Sequence, residues 1–142
     1  MSLKLDDIDL LRERLNENSG LNKTDFIEKV WIDVALPMDR ATIEQSAELE
    51  LLEPFGQGNE KPVFAQKGIT VMTARSVGNY KNFIRMRLRD DTFFQIEGIA
   101  FGDSDEMLKS LAKKPVIDIL YYPKVNAYNG KTKVEIQIKT WK

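Results

Sequence analysis

Asn82-Phe83-Ile84-Arg85-Met86-Arg87-Leu88-Arg89 alternates strictly along its length. In an extended strand successive side chains point to opposite faces, so Ile84, Met86 and Leu88 form one surface and Phe83, Arg85, Arg87 and Arg89 the other. The first surface belongs in a core. The second interleaves a ring with three guanidinium groups, which suits a single nucleic-acid strand: the arginines meet phosphates or stack on bases, and the ring stacks on a base. A plainer reading stays open, in which the arginines solubilise an outer face and Phe83 covers a gap or contacts the N-terminal helices.

The neighbouring segments decide what kind of sheet holds this strand. Gly68–Arg75 reads as a preceding strand, with a turn at Val77-Gly78-Asn79-Tyr80. Asp90-Asp91 marks a reverse turn into a strand over Thr92–Phe101, where Gly98 predicts a bulge at which a barrel strand bends. Asp103–Lys114 reads as a short helix capped by Asp103 or Ser104, with Met107, Leu108 and Leu111 inward and Lys113-Lys114 at its negative end. Val116–Tyr122 is a further strand. Asn126–Gly130 is a loop with an Asn-Gly hairpin signal, and Thr132–Lys139 closes the pattern. Three strands, one helix and two strands is the element order of an OB-fold, a five-stranded Greek-key barrel. A mixed α+β sheet would give a similar order. The fold class expected is therefore mainly β with α: an OB-type barrel over residues 65–142, preceded by a helix–strand–helix linker over residues 1–64.

An OB barrel binds on its second and third strands and on the loops between strands one and two and between strands four and five. The expected nucleic-acid-binding set is accordingly Arg75, Tyr80 and Lys81 from the first loop region, Phe83, Arg85, Arg87 and Arg89 from the strand, and Lys124, Tyr128, Lys131 and Lys133 from the second. Of the remaining aromatics, at least one of Tyr121 and Tyr122 is expected in the core, and Trp31 and Trp141 are expected to pack at element ends.

Charge follows the same division. The chain of 142 residues has a formal net charge of −1. Residues 1–65 hold seven Lys/Arg against fourteen Asp/Glu, whereas residues 66–142 hold fourteen against eight. Such asymmetry points the second half towards a polyanion, although acidic helices can simply coexist with basic strands.

Several function classes are disfavoured by what is missing. The chain has no His and no Cys, hence no imidazole base, no Cys/His zinc site, no disulfide and no thiolate chemistry. Asp90, Asp91, Asp103, Asp105 and Glu106 are acidic enough for a cation, but turn and N-cap duties account for all five. No catalytic and no metal site is expected in this chain. No apolar run reaches the roughly 20 residues of a membrane span, and Met1-Ser2-Leu3 has no signal-peptide character. Cysteine-free composition fits a reducing, cytoplasmic setting.

Before the β-rich half, Leu5, Ile8, Leu11 and Leu15 recur at helical spacing, with Asp6, Asp7 and Asp9 at the start and Gly20 as a stop. Lys29–Leu36 alternates as a strand ended by Pro37. Ala41–Leu52 reads as a helix presenting Ile43, Ala47, Leu51 and Leu52 on one side. Then comes Leu52-Glu53-Pro54-Phe55-Gly56-Gln57-Gly58-Asn59-Glu60-Lys61-Pro62-Val63-Phe64. Gly56 and Gly58 permit positive φ, the prolines fix φ, and Phe55 and Phe64 can anchor the segment in apolar surface. Without a GK[ST] or a strand–loop–helix context, phosphate binding by these glycines is the weaker reading.

This segment closely resembles the junction of RecJ-type single-stranded-DNA-specific exonucleases, where an L-x-P-F-G-x-G-N-P-x-P-x-F stretch leads from a DHHA1 domain into an OB domain. Glu60 stands where that pattern has its first proline. Ile99-Ala100-Phe101-Gly102 and Tyr128-Asn129-Gly130 resemble the same family's OB domain, and residues 4–51 resemble the end of its DHHA1 region. The resemblance implies a parent enzyme that degrades single-stranded DNA stepwise, 5′→3′, in recombination and repair, using Mn2+ or Mg2+ held by Asp and His residues of a DHH phosphoesterase domain. None of those positions exists in this chain. What carries over is an OB domain's grip on single-stranded DNA, with the DHH and DHHA1 domains of the parent, and repair proteins, as further partners. An OB module devoted to protein or interdomain contacts, or to RNA, remains an alternative.

Overall fold

The computed structural model describes residues 7–22, 25, 30–78 and 80–142. The expected helix start at Leu5-Asp6, the strand start at Lys29 and the turn residue Asn79 lie outside them. The chain divides into two compact units, Met1–Val30 and Trp31–Lys142.

In the first unit, helix α1 spans Ile8–Asn18 and buries none of its residues. It ends just before Gly20, whose φ of 63° only glycine adopts without strain. An exposed Asp9–Arg12 pair spans one helical turn, an arrangement worth roughly a few tenths of a kcal/mol.

The second unit holds strands β1 (Val34–Ala35), β2 (Phe64–Val77), β3 (Phe83–Arg89), β4 (Gln95–Phe101), β5 (Val116–Tyr128) and β6 (Lys131–Trp141), with helices α2 (Ile43–Glu50) and α3 (Ser104–Ala112). All six strands form one sheet. Antiparallel pairs β2–β3, β3–β4, β5–β6 and β2–β5, with the parallel pair β4–β6, link five of them into a ring. Strand β1 attaches in parallel to the start of β2.

Alternation explains the interior. Ile84, Met86 and Leu88 are buried from β3, Ile96 and Ala100 from β4, Ile117, Ile119 and Tyr121 from β5, and Ile136 and Ile138 from β6. Each such aliphatic side chain stabilises the fold by roughly 1.5–3 kcal/mol. Leu111 of α3 joins the same cluster, with Met107 and Leu108 against it, as the helical spacing predicts. Asp103 caps this helix by accepting from the amides of Asp105 and Glu106.

Residues 31–63 are stitched into this unit. Met38, in a 3-10 turn over Met38–Arg40, is fully buried in the core cluster, and its amide donates to Gln66 Oε1 at 2.7 Å. The Tyr121 hydroxyl donates to the Leu36 carbonyl at 2.7 Å. Burial holds that hydroxyl well above the ordinary tyrosine range, with Asp39 adding to the effect. Asp33 pairs with Val63 through both its amide and its carboxylate. In the junction segment Asn59 bonds back to the carbonyls of Leu52 and Pro54, and Phe55 stands edge-on to Tyr122 at 6.1 Å. Only the second glycine, Gly58, takes positive φ.

Five expectations are corrected. Gly98 forms no bulge, because the β3–β4 register runs through it unbroken. A Cβ there would lie 3.0 Å from Ile138 and 3.2 Å from Leu88, so the glycine answers to close packing across the ring. The glycine-bearing register shift lies instead in β2, where Gly68 has φ of 70°. Helix α2 is turned from its expected face: Ser46 and Leu49 pack inward while Ile43, Leu51 and Leu52 are exposed. Trp31 is 85% exposed rather than packed, although Trp141 does lie against the core. Among the described residues of the strand expected over Lys29–Leu36, only Val34–Ala35 form strand. Strand β4 starts at Gln95 rather than Thr92, because the buried Asp90 carboxylate gathers the Thr92 amide and hydroxyl and the Phe94 amide into a turn.

Candidate nucleic-acid interface

The outer face of the ring is set by register. Phe83 pairs with Phe101, Arg85 with Ile99, Arg87 with Glu97 and Arg89 with Gln95. On the other side of β3, Arg85 pairs with Arg75 and Arg87 with Thr73. Parallel pairing then sets Glu97 beside Glu135 and Ile99 beside Gln137. The face thus consists of rows running across the strands, and the rows differ in chemistry.

At one end Phe83 and Phe101 meet with ring centroids 5.9 Å apart. Phe83 is half-buried and Phe101 is 62% exposed. The β2–β3 loop lies at this end, with Tyr80 90% exposed. Lys81 has φ of 49°, and its carbonyl accepts from the amide and hydroxyl of Ser104. Its ammonium sits 3.4 Å from Asp105, so this lysine is committed to anchoring the start of α3.

The middle rows are mixed in charge. Arg85 Nη1 lies 3.5 Å from Glu97 and Nη2 lies 4.0 Å from Glu135, while Lys133 forms a direct ion pair with Glu97. Glu135 is only 8% exposed. The Nε of Arg85 and Oε2 of Glu135 are buried without a hydrogen bond. The Lys133 bond, with the nearby charges of Lys133, Arg85 and Arg87, holds the Glu97 carboxyl below the usual range against the opposing effect of its burial. Arg87 is exposed and unpaired among the described residues. It lines an open groove of about 680 Å³ together with Phe94, Glu97, Lys133 and, from the chain before α2, Asp39 and Thr42.

At the opposite end Arg89 stacks over the Phe93 ring, 5.3 Å from its centroid. The β5–β6 hairpin projects here, with positive φ at Asn129 and Gly130 as its turn requires. Tyr128 is 73% exposed, and Lys124 and Lys131 are exposed. The structure therefore gathers Phe83, Arg85, Arg87, Arg89 and Arg75 on one surface. It sets Tyr80 and Lys81 at one end of that surface and Tyr128 and Lys131 at the other.

Sequence reasoning missed Phe101, Phe93 and the two carboxylates. Phe101 was available from the alternation Glu97–Ile99–Phe101, which aligns it with the outward residues. Phe93 was not, because its position depends on the positive φ of 68° in the Asp90 turn. Glu97 and Glu135 become partners of Arg85 only through the sheet register.

No cluster of three or more His, Cys, Asp or Glu able to hold a metal ion exists among the described residues. With no histidine in the chain, the Asp- and His-based metal set that the resemblance implies does not fit these residues. No helix among the described residues is long and apolar enough to cross a membrane.

The single-stranded-DNA-specific exonuclease RecJ of Bacillus subtilis (strain 168) is 29% identical over 141 residues, a match covering 98% of this chain and 18% of the relative. Crystal structures of Thermus thermophilus RecJ with Mg2+ and with Mn2+ superpose with TM-scores of 0.70 and 0.69 at 23% identity. They cover 99% and 100% of this chain but only 21% and 20% of theirs, and the likeness to them is one of fold. The chain thus spans about a fifth of the length of these relatives. Residues 32–140 match the RecJ OB domain family model, and the chain belongs to that family.

Proposed function

We propose that the five-stranded ring is an OB-type Greek-key barrel that binds single-stranded DNA as one module of a longer RecJ-type exonuclease. The observation that carries this reading is the outer face of β3, where Phe83, paired with Phe101, is followed by Arg85, Arg87 and Arg89. Stacking platforms combined with backbone-tracking cations are how single strands are held without sequence preference, and the exposed Tyr80 and Tyr128 extend the platform at both ends. Hydrolysis, with its Mn2+ or Mg2+, belongs in this reading to DHH and DHHA1 domains elsewhere in the parent chain. The setting is cytoplasmic DNA repair and recombination, with residues 1–64 as the approach from DHHA1 and 65–142 as the barrel proper.

A fluorescence-anisotropy titration with oligo-dT, oligo-U and duplex DNA at two salt concentrations tests the reading. Preference for the single strand with a steep salt dependence is expected, since each neutralised phosphate releases counterions. Absence of binding at low salt would overturn it. Comparable binding of oligo-U would make the grip indifferent to the sugar. A second reading has its own observation: Trp31, Ile32, Leu51 and Leu52 are exposed on the unit that holds the barrel. Such a surface suits contact with another part of a parent chain.

A further inference from the structure

The rows of the outer face continue past β4 onto β6 and β5. Ala100 pairs with Ile138, so the next residues along the two parallel strands, Phe101 and Lys139, are neighbours. Gln137 pairs in turn with Tyr122 of β5. Beyond them the junction segment folds over the sheet. Lys61 Nζ stands 4.4 Å above the Tyr122 ring centroid and 5.4 Å from that of Phe55. Lys61, Tyr122, Gln137 and Lys139 together line a cleft of about 250 Å³.

This cleft differs from the middle of the face in one respect that governs anion binding. No carboxylate lines it, and neither Lys61 nor Lys139 has an ion-pair partner among the described residues. Arg85 and Lys133, by contrast, already face Glu97 and Glu135. Burial raises the pKa of the Tyr122 hydroxyl, with Glu53 and Glu50 adding to the effect, but neither carboxylate lines the cleft. A phosphate arriving at Lys61 and Lys139 displaces no carboxylate partner among the described residues. Lysine ammonium groups are compact point charges that accept a phosphodiester without demanding its orientation, and the Gln137 amide adds a neutral donor of the kind that positions backbones.

We propose that this cleft is a second phosphodiester subsite, so that a strand stacked on Phe83 and Phe101 continues across the sheet over Lys139 to Lys61. Neighbouring strands lie roughly 4.8 Å apart, which puts Lys139 and the cleft within reach of the phosphates following a base on Phe101. Beyond the β3 face the path therefore turns transverse to the strands, and it gives the junction segment a part in binding. This rests on the single-strand reading above.

The test uses the whole chain with oligo-dT of about four and about twelve nucleotides, lengths that bracket an OB site. The variants are Lys139→Gln alone and Lys61→Gln/Lys139→Gln, with thermal unfolding followed in parallel. For the longer oligomer the double variant should bind several-fold more weakly, with a log–log salt slope shallower by about 1.4, or ~0.7 for each single-strand phosphate lost. The shorter one should bind unchanged. Lys139→Gln, at an exposed strand position outside the core, should give about half the slope change whatever happens to the junction segment. Long-oligomer affinity and slope equal to those of the unsubstituted chain would overturn the transverse path while leaving the single-strand reading intact. Failure of the unsubstituted chain to bind either oligomer would overturn both. Thermal stabilisation by inorganic phosphate that the double variant loses, with oligomer binding unaltered, would make this a free-anion site and overturn the strand path.

Discussion

Arg85 and Arg87 sit two residues apart on the same face of the same strand, yet they occupy different electrostatic situations. Arg85 is half-buried between Glu97 and Glu135, and the Glu135 carboxylate is almost wholly out of solvent. Arg87 is exposed at the edge of an open groove. The first guanidinium offsets a buried negative charge belonging to the fold, and the second is available to something outside it. A count of positive residues along a strand therefore overstates the charge a ligand meets. Interior partners consume part of it.

The largest expected effect is on the aromatic end, which has no such internal competition. Replacing Phe83 and Phe101 together by alanine should weaken oligo-dT binding by about 1–3 kcal/mol for each stack lost, read by anisotropy at fixed salt. Wild-type affinity in the double variant would shift the platform to Tyr80 and Tyr128. Next is the arginine contrast itself. Arg85→Ala should lower the unfolding free energy by about 1–3 kcal/mol, because it leaves the buried Glu135 carboxylate without its counter-charge. Arg87→Ala should stay within ~0.5 kcal/mol. Urea unfolding of the two variants measures the difference, and equal stabilities would break the comparison.

The smallest effect sharpens it. Glu97→Gln releases Lys133, leaves Arg85 with Glu135 alone and removes one negative charge from the face. Oligo-dT affinity should rise by at most about fivefold, the equivalent of roughly 1 kcal/mol for a half-exposed pair. The same variant carries a pH signature. Glu97 is held below its ordinary value of 4.5, so its stabilising contribution is present above that value and is lost as pH falls through the lower folded-state value. The stability difference between the unsubstituted chain and Glu97→Gln should shrink towards zero as pH falls through that depressed folded-state value. A difference that persists at lower pH would separate the carboxylate's charge from its role.

Legibility followed the range of the interactions. The alternation of Ile84, Met86 and Leu88 with Phe83, Arg85 and Arg87 is a property of adjacent residues, and the strand came out as read. The Asp103 cap and the Asn129-Gly130 turn are equally local. Glu97 and Glu135 reach Arg85 from two other strands, and only ring closure brings them there. Helix α2 shows the same limit: Ile43 and Ala47 lie about one turn apart on it, but the orientation of their side depends on where β1 and Met38 tether the segment. Gly98 was correctly singled out as special, yet the cause lies in Ile138, forty residues away.

Because the pairings β2–β3–β4–β6–β5–β2 return to their starting strand, β3 is paired along both of its edges, whereas residues 71–77 of β2 and 122–128 of β5 have a paired strand on one side only. Two consequences follow. On the β3 face a ligand has no main-chain edge to extend, so recognition there falls to side chains and can be altered one residue at a time. Closure over residues 64–70 of β2 and 116–121 of β5 confines any template for edge-to-edge stacking to the outer halves of those two strands.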